Sequence, residues 1–179
     1  RETLEKVEEN DLYSSIKSEY KILNVGNINN GIIDDKLDTI NPKSKQLDKY
    51  LLKNGDLVMT AKSSRIKTAV VQISPSEKIV ASGNLIILRP DVNKINPYYL
   101  KLFFDSENGN KVLASIQTNS TIVSINISNL RKIKISLLDI SEQDKLANKY
   151  LAKLDSIKIM KYKLQKMEEE LDDIGKGCM

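Results

Sequence analysis

Histidine is absent from this chain, and cysteine occurs once, as Cys178. Without an imidazole, neither a Ser-His nor a Cys-His nucleophile pair can be assembled, and the commonest metal ligand is missing. A single thiol cannot close an internal disulfide, and it rules out a zinc site of the usual Cys/His kind. One cysteine in a polar tail fits a reducing cytoplasm. No apolar run reaches the roughly 18 residues that a membrane span needs, and no signal peptide is visible. The start on Arg1 rather than Met fits a chain trimmed or cut from a longer one. Enzyme designs that survive these absences rest on carboxylates, lysines or a magnesium ion. The expectation is a chain without catalytic residues, metal or cofactor.

What is present suits one globular domain plus an extension: 179 residues, 40% hydrophobic and 29% charged, enough for a core and too apolar for disorder throughout. The net charge of +4 is unevenly spread. Residues 1–50 carry 8 Lys/Arg against 10 Asp/Glu, residues 51–140 carry 12 against 6, and residues 141–179 carry 8 against 8. The excess therefore sits in the middle, where it suits contact with a polyanion. A lysine-rich surface kept soluble by its charge would have the same composition.

Local patterns divide the chain. Residues 2–9 are Glu/Lys-rich, with Leu4 and Val7 three apart, and read as a short helix. Ile22, Leu23 and Val25 lead into Gly26, and Asn29-Asn30-Gly31 signals a tight turn before Ile32-Ile33. Leu51-Leu52, then Asn54-Gly55-Asp56, then Leu57-Val58-Met59 predict a second hairpin or tight turn. Two more β-rich stretches follow, Ala69–Ile73 and Leu85–Leu88. Pro97 suits a first helical turn, and residues 97–116 read as one helix with Leu100, Phe103, Phe104 and Val112 on an apolar face. Ile133 and Ile135 alternate with Lys132 and Lys134, the pattern of an edge strand. From Ser141 the period is helical, with Ser141 and Asp144 spaced as a capping pair. Tyr150, Ile157, Met160, Leu164, Met167, Leu171 and Ile174 share one seam, and the steps from Ile157 onward alternate three and four as in a heptad repeat. That seam serves either a coiled-coil arm or a helix packed along its own domain.

Several short motifs resemble catalytic ones and are set aside. Asn96-Pro97-Tyr98-Tyr99 is close to the Asn-Pro-Pro-Tyr loop of amino-methyltransferases, but the second proline is missing and no glycine-rich cofactor loop precedes it. Ser64-Arg65-Ile66-Lys67 has the Ser-x-x-Lys spacing of penicillin-binding enzymes without their companion motifs. Pro90-Asp91 is followed by no acidic-x-Lys triplet, and Gly26 with Gly31 makes no phosphate loop. Two other segments suit nucleic acid. Lys62-Ser63-Ser64-Arg65-Ile66-Lys67 is basic and rich in small hydroxyl residues that can bond phosphates and base edges; a solvated hairpin tip would look the same. Residues 112–130 carry no charge at all and form either buried strand and turn or an uncharged loop facing base edges, with Asn119, Ser120 and Thr121 as its polar centre.

Taken in order, Asn24-Val25-Gly26-Asn27-Ile28 with Gly31, Tyr50-Leu51-Leu52-Lys53-Asn54-Gly55-Asp56-Leu57-Val58, Ala81-Ser82-Gly83-Asn84-Leu85, Asn96-Pro97-Tyr98-Tyr99-Leu100, and Leu130 through Ile135 joined to Ser141-Glu142-Gln143 resemble the specificity subunits of type I restriction–modification systems. The Gly-Asp and Glu-Gln pieces are the most diagnostic. The resemblance implies an α+β fold, a mixed α/β DNA target-recognition domain over 1–140 with a helical lead-in at 1–12, and a coiled-coil helix over 141–175. It implies double-stranded DNA as ligand, a methyltransferase (modification) subunit and a restriction subunit as partners, and a second specificity half or a second copy against the C-terminal helix. Full-length members carry two such units with their helices antiparallel, so this chain reads as a half-subunit or a fragment. The same domain fused in a single-chain restriction–methyltransferase is an alternative origin, and a coiled-coil adaptor without DNA binding is an alternative function. The candidate DNA-contacting set is Lys62, Ser63, Ser64, Arg65, Lys67, Ser82, Asn84, Asn119, Ser120, Thr121 and Lys132.

Overall fold

Strand β5 (Leu57–Thr60) is buried at every position, although successive side chains of a strand point to opposite faces. Both faces must therefore be covered, and the reason lies in two separate cores. The computed structural model describes residues 20–40, 49–63, 65–118 and 123–176. The lead-in expected at 2–9, Ser64, Asn119, Ser120, Thr121 and Cys178 lie outside these residues.

β5 is the centre of an antiparallel sheet, flanked by β6 (Thr68–Val70) and β8 (Leu85–Leu88). One face sends Val58, Ala69 and Leu85 into a core shared with Leu23, Ile28, Leu52, Ile79 and Ala81. The other sends Leu57, Met59 and Val70 into a core shared with Leu100, Phe104, Leu113, Ile125 and Leu130. The first core is closed by a second sheet, in which β1 (Tyr20–Leu23) pairs antiparallel with β4 (Asp38–Ile40) and parallel with β7 (Lys78–Ala81). A hairpin, β2 (Ile28–Asn29) and β3 (Ile32–Ile33), turns through Asn30 and Gly31, both at positive φ (51° and 79°). That is the left-handed pair a two-residue turn demands and Asn-Gly supplies.

Residues 51–59 form a tight turn and no hairpin. Leu52 donates to Ile79 in the other sheet while β5 pairs with β6 and β8. Gly55 holds the turn at φ 86°. Asp56, buried, accepts from the Lys53 amide at 2.8 Å and from Arg89 Nε and Nη2 at 2.7 Å each. This two-pronged bond favours the charged guanidinium and pushes Arg89 further above its ordinary value.

The expected helix at 97–116 is two helices, α1 (Pro97–Asp105) and α2 (Glu107–Ser115). Ser106 ends the first and caps the second, its Oγ accepting from the Gly109 amide at 3.1 Å. Gly109 is required there, because a Cβ would lie 1.9 Å from the Phe103 carbonyl oxygen. A short helix α3 (Ile127–Leu130) follows. The edge strand expected at Ile133 and Ile135 does not form: both side chains pack on the second core without a ladder partner, and Tyr99 Oη holds the segment by donating to the Ser136 carbonyl.

The last element, α4 (Ile140–Lys176), is 37 residues long, about 55 Å at 1.5 Å per residue. Its start differs from the expected capping pair. Ser141 lies inside the first turn, and Asp144 accepts from Asn96 Nδ2 at 2.8 Å. Gln143 is buried and fully engaged: Nε2 donates to the carbonyls of Leu138 and Lys94, and Oε1 accepts from the Asn96 amide. Asn96 in turn caps α1 through Tyr98 N. Burial ends after Leu154, and every residue from Asp155 to Lys176 is exposed; Lys158 still donates to Asp35 at 3.1 Å, and beyond it about 27 Å of helix projects.

Gln143→Ala removes three hydrogen bonds in that joint, to the Leu138 and Lys94 carbonyls and the Asn96 amide. Each is worth about 0.5–1.5 kcal/mol net, so the expected loss is roughly 2–4 kcal/mol in a urea titration. Glu142→Ala, one residue away and exposed, is expected to stay within about 0.5 kcal/mol of the parent.

Candidate nucleic-acid interface

The basic segment is the connection between β5 and β6. Thr60 and Lys67 close it, with Thr60 N donating to the Lys67 carbonyl and the Lys67 amide donating to Thr60 Oγ1, both at 3.0 Å. Ala61, the first residue beyond the strand, is where three distant parts of the chain meet. Its amide donates to the Asn84 carbonyl at 2.8 Å, and its carbonyl accepts from the Ile125 amide at 2.9 Å. Ser63 N donates to the Val123 carbonyl at 3.2 Å, and Lys62 bridges to Ser124. The uncharged stretch folds back on itself, Gln117 pairing with Ile125 and Thr118 N donating to the Ser124 carbonyl.

The structure thus brings together Lys62, Ser63, Arg65 and Lys67, the Ser82–Asn84 turn, and the stem that carries Asn119, Ser120 and Thr121. Lys62 and Arg65 are exposed, as is Asn84. Lys67 is half-buried and its Nζ donates to the Val25 carbonyl at 3.4 Å. Ser82 Oγ is buried without a hydrogen-bond partner, while its amide donates to Leu23. Lys132 stands apart, exposed in the turn that closes α3, and among the described residues no hydrogen bond or ion pair joins it to the other segments.

Beneath the loop lies a charged group that sequence reading missed. Lys101 is 1% exposed. Its ammonium donates to the Thr68 carbonyl at 3.0 Å, to Thr68 Oγ1 at 3.2 Å and to Asp105 Oδ2 at 2.8 Å. Burial holds its pKa below the ordinary lysine value, against the pull of Asp105. The Tyr150 hydroxyl of α4 donates to the same Asp105 oxygen. Tyr150 was expected on the coiled-coil seam; it packs on the domain instead, because the neighbouring carboxylate gives its phenol a partner that the arm would not. The signal for this network was the i,i+4 pair of Lys101 and Asp105 beside Leu100 and Phe104, an ion pair on an apolar helix face.

Burial first, and the bond to Asp105 second, raise the Tyr150 phenol above its ordinary range. A raised acid stabilises the fold below its unfolded pKa and loses that contribution as pH climbs through the window above. Stability is therefore expected to fall once pH passes about 10, the ordinary tyrosine value. In Tyr150→Phe that component of the alkaline slope disappears. Chemical denaturation across alkaline pH checks this, and equal slopes in both proteins would contradict it.

Among the described residues no cluster of acidic, histidine or cysteine side chains could hold a metal ion, and no helix is long and apolar enough to cross a membrane. The chain is 33% identical over 143 residues to a Methanocaldococcus jannaschii protein assigned as the MjaX specificity subunit of a type I restriction enzyme. The alignment covers 76% of this chain but 32% of that protein, so the chain spans roughly a third of the relative's length. Residues 8–169 match the type I restriction modification DNA specificity domain, and with its mixed sheets, paired short helices and long terminal helix the chain belongs to that family.

Proposed function

We propose that this chain reads duplex DNA for a type I restriction–modification complex and performs no chemistry. It directs a partner adenine methyltransferase, and a restriction subunit where one is present, to half of a bipartite site. The observation that carries this reading is the meeting of a basic hairpin, the Ser82–Asn84 turn and an uncharged stem around Ala61, within a chain of this family. Long basic side chains at Lys62 and Arg65 supply phosphate contacts that fix register, and the polar residues of the uncharged stretch supply groups able to bond base edges. The carbonyl held by Lys67 gives that residue a second, structural task.

Double replacement of Lys62 and Arg65 with Ala should weaken duplex binding and lower the slope of log affinity against log salt by about two, close to 0.9 per lost phosphate contact. Fluorescence anisotropy over a sodium chloride series measures it. An unchanged slope with an intact fold would remove the loop from the interface, and absence of duplex binding would favour a protein adaptor.

The arm supplies the partner surface. Ile157, Met160, Leu164, Met167, Leu171 and Ile174 are each at least 40% exposed. An antiparallel pairing with a second copy, or with a second specificity half, sets Leu164 against Met167, Met160 against Leu171 and Ile157 against Ile174 across a two-fold axis. Lys161 then approaches Glu168 of the other helix, and Lys163 approaches Glu170. Light scattering should give a dimer that Leu164→Asp with Met167→Asp converts to a monomer. A monomeric parent at tens of micromolar would leave the pairing to a different chain.

A further inference from the structure

We propose that the cleft between the Asn30–Gly31 turn and the basic loop grips a backbone phosphate of the bound duplex, with Arg65 and Asn30 as donors. This inference rests on the DNA-reading role above and extends the interface to a hairpin outside the three segments already described. The cleft has a volume of about 360 Å³ and is lined by Asn30, Gly31, Arg65, Lys67, Asp105 and Asn110, with Lys101 at its floor.

Its charge balance favours an anion. Asp105 is the one carboxylate in the lining, and it already accepts from Lys101, Thr68 Oγ1 and Tyr150. Lys101 has committed its three protons to Thr68 and Asp105, so these two charges cancel each other within the protein. Arg65 and Lys67 remain. The Arg65 guanidinium has no partner among the described residues, and Lys67 spends one proton on a 3.4 Å bond to Val25. The side-chain amide of Asn30 is likewise unengaged among the described residues and exposed. A guanidinium, an ammonium and an amide around an open cleft match the oxygens of a phosphate diester.

The turn is also fixed in place. Gly31 sits at φ 79°, and a Cβ there would come within 2.6 Å of Lys101 Nζ. The backbone therefore rests directly on the buried ammonium, which makes Lys101 a positioning residue for Asn30 and not a contact to DNA. Substitution at Asn30 must respect the left-handed backbone, which Asp tolerates.

The test measures duplex affinity over a salt series for the full chain and for three variants. Asn30→Asp adds a negative charge to one side of the cleft, and Asn110→Lys adds a positive charge on α2. Asn93→Asp makes the same charge change at an exposed position outside the cleft. Asn30→Asp is expected to weaken binding roughly tenfold at low salt, and Asn110→Lys to strengthen it and steepen the salt slope by about one. Asn93→Asp should cost less than about twofold. Circular dichroism melts confirm that each variant is folded. Equal effects of Asn30→Asp and Asn93→Asp, with the parent binding normally, would overturn the cleft while leaving DNA reading intact. Inorganic phosphate that raises the parent's melting temperature, with duplex affinity insensitive to Asn30→Asp, would assign the cleft to a free anion and also overturn it. A parent that shows no salt-dependent duplex binding would instead sink the DNA-reading role itself.

Discussion

A lysine ammonium buried to 1% exposure holds this molecule together. Removing such a charge from water costs several kcal/mol, and the cost is offset only when its hydrogens all find acceptors in good geometry. Lys101 meets that condition by drawing on β6 for Thr68 and on its own helix for Asp105. Gly31 of the β2–β3 turn rests against it, and Tyr150 of α4 shares its carboxylate. Four segments far apart in sequence are thus committed to one arrangement. Thr68 directly follows the residue that closes the basic loop, and Tyr150 lies about a turn before the arm leaves the domain. The foot of the loop and the root of the arm consequently depend on a single ion pair. A displacement of either one disturbs groups that the other needs.

The Gly-Asp and Glu-Gln pieces, which carry most of the family likeness, have a structural explanation. Gly55 bends the chain at positive φ and Asp56 anchors Arg89 across the sheet. Gln143 knits α4 to the approach to α1 through two hydrogen bonds, to Lys94 and Asn96, and holds the Leu138 carbonyl with a third. None of these side chains belongs to the loops around Ala61. Of the loop side chains, Lys67 holds the Val25 carbonyl, whereas Lys62 and Arg65 are exposed. Those two can be exchanged without touching the bonds that define the fold.

Legibility in the sequence followed how local each cause was. The Asn30-Gly31 turn was readable because left-handed backbone has few residue solutions. β5, β8 and the long terminal helix were readable from apolar spacing. The break at Ser106 was hidden, since the apolar pattern runs on through it and the reason for Gly109 is the distant Phe103 carbonyl. Ile133 and Ile135 alternate as a strand does, yet among the described residues no strand pairs with them. β4 was missed because its partner is set by tertiary packing on β1. The seam gave Tyr150 and Ile157 the same status, because spacing cannot say where the domain surface stops. Likewise, positions 61, 84 and 125 meet through backbone hydrogen bonds, which leave no mark on side-chain composition.

The point where the surface stops has a geometric consequence. Isolated helices depend on tertiary cover for most of their stability, and from Asp155 onward α4 buries no residue against the described part of its own domain, the exposed Lys158–Asp35 bond being its last link. In the antiparallel pairing proposed for the arm, the axis falls between Leu164 and Met167. At 1.5 Å per residue the two points at which burial ends then lie about 32 Å apart. The length of the bare arm, more than any side chain on the loops, would then set how far apart the two domains stand.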